Sequence, residues 1–392
     1  MKKIMILGAG IYQLPLIKQA KKMGIYTIVV SYPGNYPGFK YADEIEYIDI
    51  RDQKKVLKAA EKHKIDGICT SGSDVGIKSI GLVNDTLGLS GISYSSALMA
   101  NNKYEMKKAF RYNNVNTPYG FKVNNVTEAK KAFYELGGNI IFKTVDSSGN
   151  RGIIHIKDPL MIEEAFQESL FYSNCPYILV EEFLSGKEIG AEAFIQNGEI
   201  NFVLPHNKII IETNSPVPIG QSVPFEADQM IKNNIDLQVR SGIYALGIDN
   251  CPVNVDIMIY NNNAYIIEIG ARAGGGPCLP ESVSLYYGFN HYENIIKVAL
   301  GEFVDFKFKS PTPNASRLLI SPKNGVIKKI EFDNLNDPNL IDFSLDYREG
   351  DKVCKFLNKT NRLGHILVKG VNAKEAEDKI EKILEKIKII IE

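Results

Sequence analysis

Over its first hundred residues the chain alternates short apolar runs with amphipathic stretches, and that alternation limits the available architectures more than any other feature. Residues 3–7 (KIMIL) form an apolar run, Gly8-Ala9-Gly10 makes a turn, and helical spacing runs from Leu16 to Met23. Residues 25–30, 46–49 and 67–70 read as further strands, with a helix near 54–63. Strands separated by helices of this length predict a parallel, doubly wound sheet. A different pattern begins near Thr117, where 140–144 and 153–157 read as two strands joined by a loop of small residues, and 178–183 as a buried strand. From Glu188 onward strand patterns dominate, including the pair 253–260 and 264–269. Residues from about 303 carry strands, then a charged amphipathic helix at 374–386 with Ile380, Ile383, Leu384 and Ile387 on one face. The expected class is therefore α/β followed by α+β, in the two or three units that 392 residues allow.

Composition excludes several functions. Lys+Arg and Asp+Glu are both 46, so no bulk charge favours nucleic acid or an anionic membrane. No apolar run approaches the ~18 residues of a spanning helix. The N-terminal apolar run breaks at Gly8, too soon for a signal-peptide core, and reads as a strand. Cys69, Cys175, Cys251, Cys278 and Cys354 stand far apart without a CxxC pair, which argues against structural zinc or a disulfide framework and suits a reducing cytoplasm. His155, His206 and His291 lack a second ligand at zinc spacing, and no serine sits in a nucleophile elbow.

Two glycine-rich segments bear on ligands. Gly8-Ala9-Gly10-Ile11-Tyr12-Gln13 follows a strand and opens a helix, but Gln13 stands where a dinucleotide fingerprint has its third glycine. A tight strand-to-helix turn is the simpler reading; a carboxylate or phosphate at the helix N-terminus is the alternative. The second segment begins with a hairpin signature, residues 254–268, in which two alternating strands flank Asn261-Asn262-Asn263. A loop of those three asparagines puts Tyr260 opposite Ala264 and Asp256 opposite Glu268. Carboxylates so placed have Cβ atoms roughly 5 Å apart and repel. A divalent cation reverses that penalty, and hard oxygen ligands suit magnesium. Two solvated acids, or a bulge that shifts the register, are the plainer alternatives. Arg272 and Gly274-Gly275-Gly276 follow at once, a guanidinium and bare backbone suited to an anion.

Upstream, Lys143 ends a strand, and the loop 147–152, with Ser147, Gly149 and Gly152, can fold over phosphate oxygens. It is not the Walker pattern, which places Lys after the glycine. Further on, an apolar strand runs into Glu181-Glu182-Phe183-Leu184, whose backbone could bond an adenine edge, with Glu188 near the ribose; an ordinary strand leaving the core is the alternative.

In this order the elements resemble the ATP-grasp superfamily over nearly the whole chain, in the branch of carbamoyl-phosphate synthase large chains, biotin carboxylase, purine-pathway ligases and L-amino acid ligases. The resemblance implies a Rossmann-like pre-domain (1–100), a two-lobed ATP-grasp core (101–302, lid about 117–183) and a small β-rich C-terminal domain (303–392). It implies that Lys103 and Lys143 reach the ATP phosphates, with Ser147, Gly149 and Gly152 in the lid loop. Glu181, Glu182, Phe183 and Leu184 match the adenine linker, Glu188 the ribose acid, Asp256 and Glu268 the metal acids, and Arg272 the arginine that steadies the transferred phosphate. Lys208 falls where some relatives contact phosphate; a solvated lysine is the plainer reading. Gly270 departs from the pattern, because many members have an asparagine there as a further metal ligand. Asn361-Arg362-Leu363-Gly364 and Gly370 are similar to the C-terminal domain of the branch.

The resemblance thus implies a ligase that uses ATP and Mg2+ (or Mn2+) on a small carboxylate and an amine, and is compatible with a homodimer; the cysteine pattern and charge balance add the expectation of a cytoplasmic location with no nucleic acid or membrane partner. A bicarbonate-phosphorylating enzyme and a non-catalytic ATP-binding regulatory protein are its rivals.

Overall fold

The computed structural model describes every residue except Ser148, Asn150, Thr213, Asn214, Ser215, Pro277, Asn334, Lys359, Thr360 and the side chain of Glu212. The chain divides into two compact units. The first comprises Met1–Val203, Asp228–Ala273 and Tyr292–Val304, and the second Leu204–Ala227, Gly274–His291 and Asp305–Glu392.

In the first unit, β1 (Lys3–Leu7), α1 (Leu14–Lys22), β2 (Tyr26–Ser31), β3 (Glu44–Tyr47), α2 (Gln53–His63) and β4 (Gly67–Cys69) alternate as expected, followed by α3 (Ile77–Leu87) and α4 (Tyr94–Ala100). The strands form a parallel sheet in the order β3-β2-β1-β4. The third strand lies two residues earlier than its expected 46–49. Ile4, Met5, Ile6 and Leu7 are fully buried, as a parallel strand covered on both faces requires.

Next come α5 (Lys103–Tyr112), β5 (Gly120–Val123), α6 (Val126–Glu135), β6 (Ile140–Lys143), β7 (Ile154–Ile156), α7 (Ile162–Phe171) and β8 (Ile178–Glu182). Four of these strands make an antiparallel sheet in the order β5-β8-β6-β7. Phe133, Phe142, Phe166, Ile178 and Val180 join α6 and α7 to it in one apolar cluster.

The strand-rich part holds β9 (Lys187–Gln196), β10 (Glu199–Glu212), β11 (Pro216–Val223), α8 (Gln229–Ala245), β12 (Cys251–Tyr260) and β13 (Asn263–Gly270). β12 pairs antiparallel with both β9 and β13. The helix α8 interrupts a region whose residues read mainly as strand; Asp228 caps it by accepting the Ile231 N–H, and its buried Ile235, Val239 and Ile243 follow helical spacing.

The chain closes with α9 (Leu279–Tyr287), α10 (His291–Ala299), β14 (Asn314–Ile320), β15 (Gly325–Phe332), β16 (Leu340–Leu345), β17 (Lys352–Val353), β18 (Arg362–Lys369), α11 (Ala373–Leu384) and β19 (Ile387–Ile391). In the second unit β14 pairs with β11 and β18, β18 with β16, and β15 lies between β17 and β19. Ala376, Ile380 and Ile383 of α11 pack on Ala315, Ile366 and Val368. The helix expected at 374–386 stops at Leu384, and Ile387 opens an edge strand instead. The β-branched run Ile389-Ile390-Ile391 pairs with β15, which overrides the helical spacing.

Candidate active site

The acid pair is set by a hairpin whose loop differs from the expected one. Tyr260 pairs with Asn263, so the loop is Asn261-Asn262 alone, with φ of 48° and 59°. Two positive φ values suit asparagine and the twist of a two-residue hairpin turn. That turn alone would put Asp256 opposite Ile267. A bulge between the Asp256 and Ile257 pairings adds one residue to β13 and returns Glu268 to face Asp256. The expected pairing is present, through a shorter loop and a compensating bulge.

Lys103 meets this pair. Asn102 caps α5 by accepting the Tyr104 and Glu105 N–H groups, which fixes Lys103 at the helix start. Its Nζ donates to Glu268 Oε1 at 2.9 Å and to the Ser147 carbonyl at 3.0 Å, and its N–H donates to the Val145 carbonyl. Burial alone would lower the ammonium's pKa, but Glu268, Asp74 and Asp256 hold it above its ordinary value. One ammonium therefore touches both a candidate metal acid and the base of the glycine loop. Asp256 and Glu268 are only partly buried and offer hard oxygen donors on facing strands, a set that fits magnesium.

Lys143 ends β6 and donates to Glu181 Oε2 at 2.7 Å. On the other side of the same carboxylate, Lys107 Nζ lies 3.2 Å from Oε1 and also donates to Thr117 Oγ1 and the Ile266 carbonyl. Glu181 is 0% exposed. Its burial disfavours charge, yet the two ammoniums hold its pKa below the ordinary range. Burial pulls Lys107 down to about 8, against the attraction of Glu181. The Glu181 side chain thus serves two lysines, and its backbone lies within β8, paired with β5 on one side and β6 on the other.

Glu182 is likewise engaged: its Oε1 accepts the Tyr119 N–H at 2.8 Å, and its own N–H donates to the Tyr119 carbonyl. The Phe183 N–H donates to the Asn139 carbonyl, and its ring stacks on His155 at 3.7 Å. Leu184 is buried, and Glu188 lies on β9 opposite Met258. Of the loop 147–152, Ser148 and Asn150 lie outside the described residues; Gly149 is open, and the Gly152 carbonyl accepts from Ser169 Oγ. Lys208 lies in the second unit, on β10 opposite Gln221.

Arg272 is held from two sides. Its Nη2 donates to Asp74 Oδ2 at 2.6 Å and its Nη1 to Asn254 Oδ1 at 3.0 Å, while Asn254 Nδ2 donates to Glu192. Burial would lower its pKa, but Asp74, Glu192 and Asp256 raise it. The sequence reading missed Asp74, Lys107, Asn254 and Glu192. Asp74 had a usable signal, because it lies just past the C-terminal end of the parallel strand β4, where open α/β sheets carry their ligand groups.

The N-terminal glycines are filled from within. Gln13 Oε1 accepts the Gly10 N–H at 3.1 Å, its Nε2 donates to the Ser71 carbonyl, and a Cβ on Gly8 would lie 2.8 Å from that Oε1. The chain's own carboxamide takes the N–H that a pyrophosphate would use, which favours the tight-turn reading. No helix among the described residues is long and apolar enough to cross a membrane.

Comparison with known proteins bears on this arrangement directly. Residues 100–276 match the family model of the ATP-grasp domain, and residues 317–392 that of L-amino acid ligase C-terminal domain 2. The crystal structure of phosphoribosylglycinamide synthetase from Anaerococcus prevotii is 35% identical over all of both chains, with a TM-score of 0.86. L-amino acid ligase from Bacillus licheniformis shares the fold at 18% identity, covering 100% of this chain and 99% of that one, with a TM-score of 0.83. Alanine–anticapsin ligase of Bacillus subtilis is 25% identical over 254 residues, which are 58% of this chain and 52% of that protein. The chain thus spans about half the length of that ligase. With 35% identity along its whole length and an ATP-grasp match around the acid pair, the chain belongs to the ATP-grasp superfamily, among its carboxylate–amine ligases.

Proposed function

We propose that the protein joins the carboxylate of an amino acid to an amine, at the expense of ATP, through an acyl phosphate. The supporting observation is Lys103, whose single ammonium bonds both Glu268 and the Ser147 carbonyl, so that acid pair and lid loop converge on one cation. In this reading 1–100, 101–302 and 303–392 are the functional parts. The Glu182 carbonyl and Leu184 N–H meet the adenine edge, and Glu188 the ribose.

Asp256 and Glu268 would hold magnesium, which would supply charge neutralisation to the phosphates. Lys103 and Lys143 exchange Glu268 and Glu181 for phosphate oxygens. A carboxylate oxygen attacks the γ-phosphorus in line, the bond to the bridging oxygen breaks, and ADP leaves. Arg272, fixed by Asp74 and Asn254, holds the equatorial oxygens as charge spreads. The amine nitrogen then attacks the acyl carbon; a C–N bond forms, the C–O bond to phosphate breaks, and the amine loses a proton. Closure of the lid keeps water from the acyl phosphate.

The test is a screen of amino acids in pairs for ADP and phosphate release, with hydroxylamine replacing the amine to trap the acyl phosphate as a hydroxamate. AMP and pyrophosphate as products would overturn the mechanism. A second reading, glycine joined to a phosphorylated sugar amine, is favoured by the identity to phosphoribosylglycinamide synthetase. Turnover of glycine with phosphoribosylamine alone would select it. Labelled bicarbonate in the product would instead select the carboxylase rival.

A further inference from the structure

Gly270 ends β13, two residues after Glu268 and two before Arg272. The family pattern often has an asparagine here, and the backbone φ at this position lies outside the range that requires glycine. What excludes a side chain is Asp74. A Cβ at 270 would lie 2.7 Å from Asp74 Oδ1, 3.1 Å from Arg272 Cζ and 3.2 Å from Arg272 Nη2. The carboxylate of Asp74 fills the volume directly over residue 270, with its other oxygen 2.6 Å from Arg272 Nη2.

The loop that delivers Asp74 is fixed to the same place. Ser71 bridges to Ala273 in parallel, and the Gly72 N–H donates to the Ala273 carbonyl at 3.0 Å. Asp74 therefore reaches Arg272 from a loop stitched to the neighbouring residue, although 198 positions separate the two in sequence. The guanidinium ends up clamped: Asp74 on Nη2, Asn254 on Nη1, and Nε buried with no partner among the described residues. An arginine fixed at two nitrogens presents its remaining donors in one orientation, the condition for recognising an anion that spreads charge over several oxygens.

We infer that Asp74 and Gly270 are a matched pair, in which the missing side chain at 270 makes room for the carboxylate that positions Arg272 toward the terminal phosphate. The clamp itself stands on the structure; its service to the terminal phosphate rests on the ATP chemistry proposed above.

Two measurements separate these layers. The first needs no ligand. In thermal unfolding, Gly270→Ala and Asp74→Ala each lower Tm singly, the former by pushing the carboxylate off Arg272, the latter by removing it. In the Asp74→Ala background Gly270→Ala costs clearly less than in the parent, because the 2.7 Å approach to the carboxylate is gone and only the looser approaches to Arg272 remain. Additive losses would overturn the pairing. The second uses MgADP and the magnesium complex of the β,γ-imido analogue of ATP as calorimetric probes. Asp74→Asn, which keeps the shape and loses the charge, weakens the analogue about fivefold or more while MgADP stays within about twofold, since only the terminal phosphate needs the oriented guanidinium. Equal weakening of both nucleotides, or of neither, would show a merely structural carboxylate and overturn the positioning role. A parent chain that binds neither probe overturns the ATP reading and the positioning role with it, while the thermal cycle still decides the clamp.

Discussion

Two carboxylate–lysine groups sit close together in the first unit and are built on opposite principles. Glu181 is 0% exposed and lies between two ammoniums, those of Lys143 and Lys107, which leaves net positive charge. Glu268 has a side chain 34% exposed, faces a second carboxylate across the hairpin, and shares one ammonium, that of Lys103, which leaves net negative charge. The first group offers cations to a polyanion and keeps its own carboxylate out of water. The second leaves its carboxylates partly in water, where a hydrated divalent ion can reach them. A fold-supporting ion cluster and an ion-binding one thus differ in burial and in the sign left over, more than in residue type.

The largest expected effect tests the buried side. Glu181→Ala leaves two buried ammoniums without a counter-charge and lowers unfolding free energy by about 3–5 kcal/mol, read in urea denaturation. A loss under about 1 kcal/mol would erase the contrast.

On the open side, Asp256→Ala and Glu268→Ala each reduce turnover roughly 10²–10³-fold, as loss of a group that organises transition-state charge does. Their stabilities separate the two acids. Both variants relieve the repulsion across the hairpin, but Glu268→Ala also strips Lys103 of its hydrogen-bonded partner and gives the lower Tm of the two. Equal shifts in Tm would show that the Lys103 pair contributes nothing.

Lys143→Ala raises the Michaelis constant for ATP about tenfold, since one charge-assisted phosphate contact is lost. It leaves Glu181 paired with Lys107, so its cost in stability stays well below that of Glu181→Ala, as parallel urea titrations would record.

The remaining effects are in pH dependence. Glu181 has a folded pKa below its ordinary 4.5, so its contribution is fully present above 4.5 and is lost as the pH falls through the lowered value. Lys107 has a folded value of about 8 against an ordinary 10.5, so between the two the unfolded chain binds more protons. Its contribution to stability therefore rises from pH 8 to 10.5. Lys107→Met abolishes that rise; an unchanged pH profile in the variant would remove Lys107 from the account.

Legibility from sequence followed the range of the interactions. The parallel sheet of the first part, the strand ending at Lys143 and the facing of Asp256 and Glu268 were readable, because period-two and helical patterns record local geometry. The hairpin was readable only in outcome: the two-residue turn and the bulge cancel, and a bulge leaves no periodic mark when Ile266 and Ile267 are both apolar. Ile387 was misread because helical spacing continues past Leu384 while pairing with β15 decides the state.

Residue types, their local order and the resemblance they carry were determined by the sequence alone, and they were enough for the family. Which charge meets which was decided only by tertiary structure. Lys107 and Glu181, Asp74 and Arg272 are brought together from distant segments. Cys278, Asp342 and His365, distant in sequence, gather their ligand atoms within 4.8 Å in the second unit. The physical reason is common to the two ion pairs. A charge buried from water needs a partner in space, the partner's place along the chain is irrelevant to that energy, and so no short-range pattern records it.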